Sequence, residues 1–168
     1  MMRAALIAVM VVVVVVELAA CAATPVQSAT VEVPAASPER ATRDFDRDAP
    51  PRVETPTFVL ELVAPSSAST AEPSAISITL EGRGGFHVNL EYPIRIELGS
   101  SEGVALAKTT LAAADARELN EERARFETPA RWSGPGRHWL AARVQFAVCT
   151  PDSCVPREEA LAISIDVQ

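Results

Sequence analysis

Apolar and polar residues alternate with period two through most of the chain beyond residue 57. Phe58, Leu60 and Leu62 alternate with Val59, Glu61 and Val63, and Ile76, Ile78 and Leu80 alternate with Ser77, Thr79 and Glu81. Successive side chains of a strand point to opposite faces, so each run predicts a strand with one face buried. Gly82-Arg83-Gly84-Gly85 predicts a turn. Phe86, Val88, Leu90, Tyr92, Ile94, Ile96 and Leu98 then keep one parity, with a break expected at Pro93, which cannot donate to a ladder. Gly99 to Gly103 predicts another turn, and Val104 to Lys108 a short strand. Asp115 to Glu122 is rich in helix formers and predicts one helical turn or an irregular loop. Phe126 falls in a strand bounded by Pro129. After Gly134-Pro135-Gly136 a long strand presents Leu140, Ala142, Val144, Phe146 and Val148 on one face. The last strand turns Leu161, Ile163, Ile165 and Val167 inward and Ala160, Ala162, Ser164 and Asp166 outward.

These elements amount to about seven short strands with no sustained helical period. Each sheet then has one apolar face to bury, and the expected solution is all-β: an immunoglobulin-like antiparallel β-sandwich over residues 57–168. The cysteines that this domain contains do not sit where an inter-sheet disulfide would. They lie on the hairpin joining the last two strands.

The first part of the chain follows different rules. Met1-Met2-Arg3 carries one positive charge, and Ala4 to Val16 is an unbroken apolar run. That run is short of the roughly 20 residues that span a bilayer, so a signal peptide over residues 1–20 is expected rather than an anchor helix. Leu18-Ala19-Ala20-Cys21 resembles the bacterial lipoprotein signal, which implies lipidation of Cys21 as the mature N-terminus; cleavage without lipidation is the competing reading. Ala22, where an aspartate would resemble an inner-membrane retention signal, favours the outer membrane. Residues 21–56 are rich in proline, alanine, serine and mixed charges, with Phe45 the one aromatic. Such a segment buries too little apolar surface to offset its chain entropy and is expected to be a disordered tether. The formal charge of −7, without a basic stripe, argues against nucleic acid as a partner.

With Cys21 assigned to lipid, two cysteines remain in an exported protein, where disulfides form and persist. Cys149 and Cys154 flank Thr150-Pro151-Asp152-Ser153, four residues with turn chemistry. A hairpin there brings their Cα atoms into disulfide range. Two readings are open. A structural staple across so short a loop is worth about 2 kcal/mol in the chain-entropy estimate. Reversible exchange needs an available thiolate; Asp152 inside the loop opposes ionisation, while Arg157 and Arg143 favour it. Strand parity places Cys149 on the face of Trp139, Ala141, Arg143, Gln145 and Ala147, opposite the core.

The stretch Val144 to Pro156, with its Cys-Thr-Pro-Asp-Ser-Cys-Val-Pro element, resembles the end of the periplasmic N-terminal domain of the DsbD thiol:disulfide interchange family. Gly85-Phe86-His87-Val88-Asn89 and Tyr92-Pro93 fit the same domain. The resemblance implies an immunoglobulin-like sandwich in which Cys149 and Cys154 are the redox pair and thioredoxin-fold proteins are the partners. The alternative is a non-catalytic envelope lipoprotein whose sandwich binds a protein or polymer.

Other chemistry has little footing. His87 and His138 are too few for a closed zinc site without further ligands, so no metal and no cofactor are expected. His87 is expected on the solvent side of its strand. Gly99-Ser100-Ser101-Glu102-Gly103 has the Gly-x-Ser-x-Gly spacing but falls in an expected turn between strands rather than before a helix, and Ser153 falls in an exposed turn.

Overall fold

In the computed structural model, the residues described are 45–168. The expected signal peptide, the lipidation site Cys21 and the tether up to residue 44 lie outside them. The described residues form twelve strands: β1 (Arg52–Glu54), β2 (Phe58–Val63), β3 (Ser67–Ala68), β4 (Ser74–Gly82), β5 (His87–Val88), β6 (Arg95–Ser100), β7 (Val104–Leu106), β8 (Thr110–Ala112), β9 (Ala116–Leu119), β10 (Arg123–Trp132), β11 (Gly136–Cys149) and β12 (Cys154–Val167). They make two sheets. One runs β1-β2-β4-β10-β7, with β9 also on β10; the other runs β3-β12-β11-β6-β8, with β5 also on β11. The fold is the expected immunoglobulin-like all-β sandwich. Its pairings are antiparallel except where β3 meets the end of β12 in parallel.

The two apolar faces meet in one core. Phe58, Leu60 and Leu62 of β2, Ile76, Ile78 and Leu80 of β4, and Phe126 of β10 pack against Leu140, Val144 and Phe146 of β11 and Leu161 and Ile165 of β12. These are the parities that the alternation picks out. Phe58 and Phe146 join the sheets through an edge-to-face contact, centroids 5.0 Å apart at 80°.

Four local expectations are corrected. First, the run from Phe86 to Leu98 keeps its parity where it is buried but breaks earlier than Pro93: β5 ends at Val88, Leu90 is exposed, and the buried alternation resumes only at Ile94. The Asn89 side chain interrupts it, its Oδ1 accepting the backbone N–H groups of Glu91 (2.8 Å) and Tyr92 (3.0 Å).

Second, Pro129 does not bound its strand, because β10 runs on to Trp132. The outer edge of β10 pairs with β9 as far as Phe126 and with β7 from Ala130. Pro129 falls in the gap, its carbonyl accepting the Ala107 N–H there, so the missing donor costs no ladder bond.

Third, Ala116–Leu119 is a strand on β10 and the helical element is only a 3-10 turn at Ala113–Asp115. Edge pairing overrides the helix propensity. The Asp115 carboxylate accepts the Lys108 ammonium and the Ala112 N–H, which closes this turn, and these contacts, Lys108 first, hold the carboxyl below the usual carboxylate range.

Fourth, the stretch assigned to the tether reaches into the sandwich. Arg52–Glu54 pairs antiparallel with β2, flanked by prolines that an edge strand tolerates. Upstream, the Phe45 ring lies on the outer face of the β11 sheet, against the bare Cα of Gly99. Arg143 sits 5.5 Å from the centroid of the Phe45 ring, and Arg47 sits 4.4 Å from that of Trp139. A Cβ at Gly99 would come within 2.3 Å of Phe45 Cδ2. Gly99→Ala is therefore expected to lift the Phe45 ring away while leaving the core intact. Faster tryptic cleavage after Arg47 with an unchanged urea midpoint would report it; unchanged cleavage would contradict the contact.

Candidate functional site

The hairpin of β11 and β12 is paired without interruption from Gly136↔Val167 to Cys149↔Cys154. Beyond the last pair, Thr150 N–H donates to Ser153 O at 2.8 Å, closing the turn. Hydrogen-bonded and non-bonded pairs alternate along an antiparallel ladder, so Cys149↔Cys154 is a non-bonded pair, the closer kind. Their Cα atoms lie 4.1 Å apart and the sulfurs are joined in a disulfide. The bond expected at this hairpin tip is present.

Its two ends differ in exposure. Cys149 is 2% exposed, whereas Cys154 lies open to solvent. The difference follows from position. Cys149 lies on an inner strand, flanked by β12 on one side and by β5 on the other, where His87 pairs with it. Cys154 begins β12, whose far edge is unpaired until Asp166 meets β3. The disulfide borders a groove of about 420 Å³ lined by His87, Asn89, Leu90, Glu91, Glu121 and Pro151 among others. Leu90 on its wall is one of two large apolar side chains left exposed among the described residues.

Asn89 was not singled out by sequence reasoning as a site residue. Its Nδ2 donates to Cys149 Sγ at 3.0 Å and lies 3.4 Å from Cys154 Sγ. The available signal was turn chemistry, an asparagine shortly before Glu91-Tyr92-Pro93. The residues that were expected to assist ionisation are elsewhere. Arg143 shares the disulfide's face but is six residues up the strand, about 20 Å away, and faces Glu97 (3.4 Å) and Glu158 (3.8 Å). Arg157 pairs with Phe146 and takes the opposite parity from Cys154, so it faces away from the disulfide. Asp152 is exposed in the turn, as is Ser153.

The histidines are not brought together. His87 is half-buried and flanks the disulfide, whereas His138 lies near the far end of β11. His138 Nε2 donates to Gly134 O (3.0 Å), which leaves Nδ1 to accept the Ser101 hydroxyl (3.3 Å). Ser101 Oγ in turn accepts the Trp139 N–H, and the imidazole rests against Trp132. That network ties the Ser101 turn to β11. Among the described residues no three His, Cys, Asp or Glu side chains gather as metal ligands.

No family model matches the chain, and no curated protein does. Neither comparison connects it to the DsbD family. Among solved structures, the chain is similar to native alpha-2-macroglobulin from Escherichia coli, from domain MG7 to the C-terminus (13% identity, TM-score 0.44, 73% of this chain but only 17% of that one). It is also similar to the CARDB domain of a Pyrococcus furiosus protein (12%, 0.42, 68% of this chain and 97% of the other). A third similar structure is a cohesin module of a Clostridium perfringens family 33 glycoside hydrolase (10%, 0.44, 68% and 98%).

Proposed function

We propose that this protein is an envelope lipoprotein, tethered through Cys21 and facing the periplasm, whose Cys149–Cys154 pair exchanges disulfides with thioredoxin-fold partners. The observation that carries the reading is the asymmetry of the pair: one cysteine is open to solvent beside a groove and the other is buried against β5. A staple has no need of that arrangement. The hairpin is already paired continuously from Gly136 to Cys149, and a disulfide at its tip closes the shortest loop available, worth about 2 kcal/mol.

The exchange is a pair of displacements. A partner thiolate attacks Cys154 Sγ, the Cys149–Cys154 bond breaks, and its electron pair leaves on Cys149 Sγ as a thiolate. The mixed disulfide joins the partner to Cys154. The partner's second thiolate then attacks its own sulfur in that bond and releases Cys154 as a thiolate. The pair has gained two electrons, the partner's dithiol has become a disulfide, and the new thiolates take up protons from water according to their pKa values. Running the steps backwards reduces an oxidised partner.

The test is mixed-disulfide trapping in the full-length protein. Cys149→Ala leaves the exposed thiol without its resolving partner and is expected to accumulate a covalent adduct with a thioredoxin-fold protein. Cys154→Ala, which leaves the buried thiol, is expected to trap little. Adduct and protein should fractionate with membranes and be released by Cys21→Ser. No adduct from either variant, with a reduction potential below about −300 mV, would instead establish the structural staple and the non-catalytic binding alternative.

A further inference from the structure

The structure assigns to Asn89 the role of hydrogen-bond donor to the Cys149 thiolate, which makes Cys149 the leaving group and sets how readily the pair is reduced. This deepens the exchange reading and rests on it.

Three hydrogen bonds hold the Asn89 amide in one orientation. Its backbone N–H donates to Ala147 O on β11 at 3.0 Å, which fastens the residue beside the end of the hairpin. Its side-chain Oδ1 accepts two backbone N–H groups, from Glu91 and Tyr92. An amide oxygen that is doubly occupied fixes the other end of the group as the NH2. That end faces the sulfurs, with Cys149 Sγ at 3.0 Å and Cys154 Sγ at 3.4 Å.

The consequence is electrostatic. In the disulfide, sulfur is a weak acceptor and the contact contributes little. When the bond opens and negative charge collects on Cys149 Sγ, the same N–H becomes a charge-assisted donor, about twice as strong as a neutral one. The donor is already oriented, so no reorganisation accompanies the charge. Without it, a thiolate at a position 2% exposed would be desolvated and its pKa raised. Glu91 and Glu121, which line the same groove, add negative charge that disfavours a thiolate there. Arg143 and Arg157 are too far away or misdirected to offset this; His87 lines the same groove, and the Asn89 amide is the group whose N–H is aimed at Cys149 Sγ. A lower leaving-group pKa speeds exchange, and preferential stabilisation of the reduced form raises the reduction potential.

Asn89→Asp keeps the turn but replaces the donor with a negative charge that itself disfavours a thiolate, so the neutral Asn89→Ser is read beside it. The aspartate keeps Oδ1, and with it the acceptor for Glu91 and Tyr92, but presents a carboxylate oxygen to sulfur in place of N–H. The experiment follows reduction of the full chain by dithiothreitol from pH 6 to 9, and thiolate absorbance of the reduced protein across the same range. A hydrogen bond to a charged group is worth about 1.5–3 kcal/mol, or roughly tenfold to a hundredfold. The variant should therefore be reduced at least about tenfold more slowly, and the Cys149 titration should move upward by about a unit or more. Asn89→Ser, with a hydroxyl able both to accept and to donate, should fall between. Wild-type rates and titration in the folded Asp variant would overturn the assignment while leaving exchange itself standing. A wild-type disulfide that dithiothreitol does not reduce in the folded state would overturn the exchange reading instead.

Discussion

Phe146→Ala is expected to lower the stability of the sandwich by about 3–5 kcal/mol, the range for removing a buried aromatic ring. Phe146 is 0% exposed and sits on β11, paired with Arg157 of β12 on one side and, on the other, between the end of the β6 ladder at Gln145 and the start of the β5 ladder at Val148. A strand paired on both edges cannot move inward to fill the space a ring leaves, so the cavity term stays close to its maximum. The edge-to-face contact with Phe58 is lost as well, and with it a direct link between the two sheets. For a domain of this size the melting temperature should fall by about 10–20 °C. Urea unfolding would measure the change, and Phe146→Leu, which refills most of the volume, should recover more than half of it. A loss under 1 kcal/mol for the alanine variant would mean that the sheets are not joined at this ring.

How far the chain could be read in advance depends on how local each cause is. Strands β2 and β4, and β11 and β12 over Leu140 to Val148 and Leu161 to Val167, announced themselves because the alternation there names residues that the core buries. The strand at Ala116–Leu119 did not, because its reason to be extended is the free edge of β10, which no local pattern records. Pro129 misled in the same way: a proline ends a strand only where its missing N–H was needed, and need is set by neighbours far away in sequence. The docking of Phe45 on Gly99 joins residues more than fifty positions apart. At the site, the turn residues between Cys149 and Cys154 made the disulfide legible. Arg157 could have been set aside by parity alone, since it lies three positions after Cys154 and an odd step changes face. Asn89 was hidden because it fits the alternation of the sequence as a polar residue between Val88 and Leu90; only the folded chain shows its oxygen diverting the backbone and so aiming the nitrogen.

Gly82→Ala should carry a cost far larger than an ordinary glycine substitution, about 3 kcal/mol, and should reach the disulfide without touching it. A Cβ at Gly82 would meet Phe86 O at 2.3 Å, His87 Cα at 2.9 Å and Phe86 C at 3.0 Å. All three are backbone atoms, so no side chain can swing aside and the segment entering β5 must shift. That segment holds Val88 in the core at 0% exposure, pairs His87 with Cys149, and leads directly into Asn89. Displacing it draws the amide away from the sulfurs, and slower reduction by dithiothreitol is expected along with the loss of stability. Gly134→Ala is the matched control: nothing lies within 4 Å of its added Cβ, and its effect should stay within about 0.5 kcal/mol. If urea midpoints and reduction rates of the two variants coincide, β5 is not packed on Gly82 as described. A stable Gly82→Ala protein with slowed reduction would separate the two consequences, placing the slack in the turn and the sensitivity in the amide.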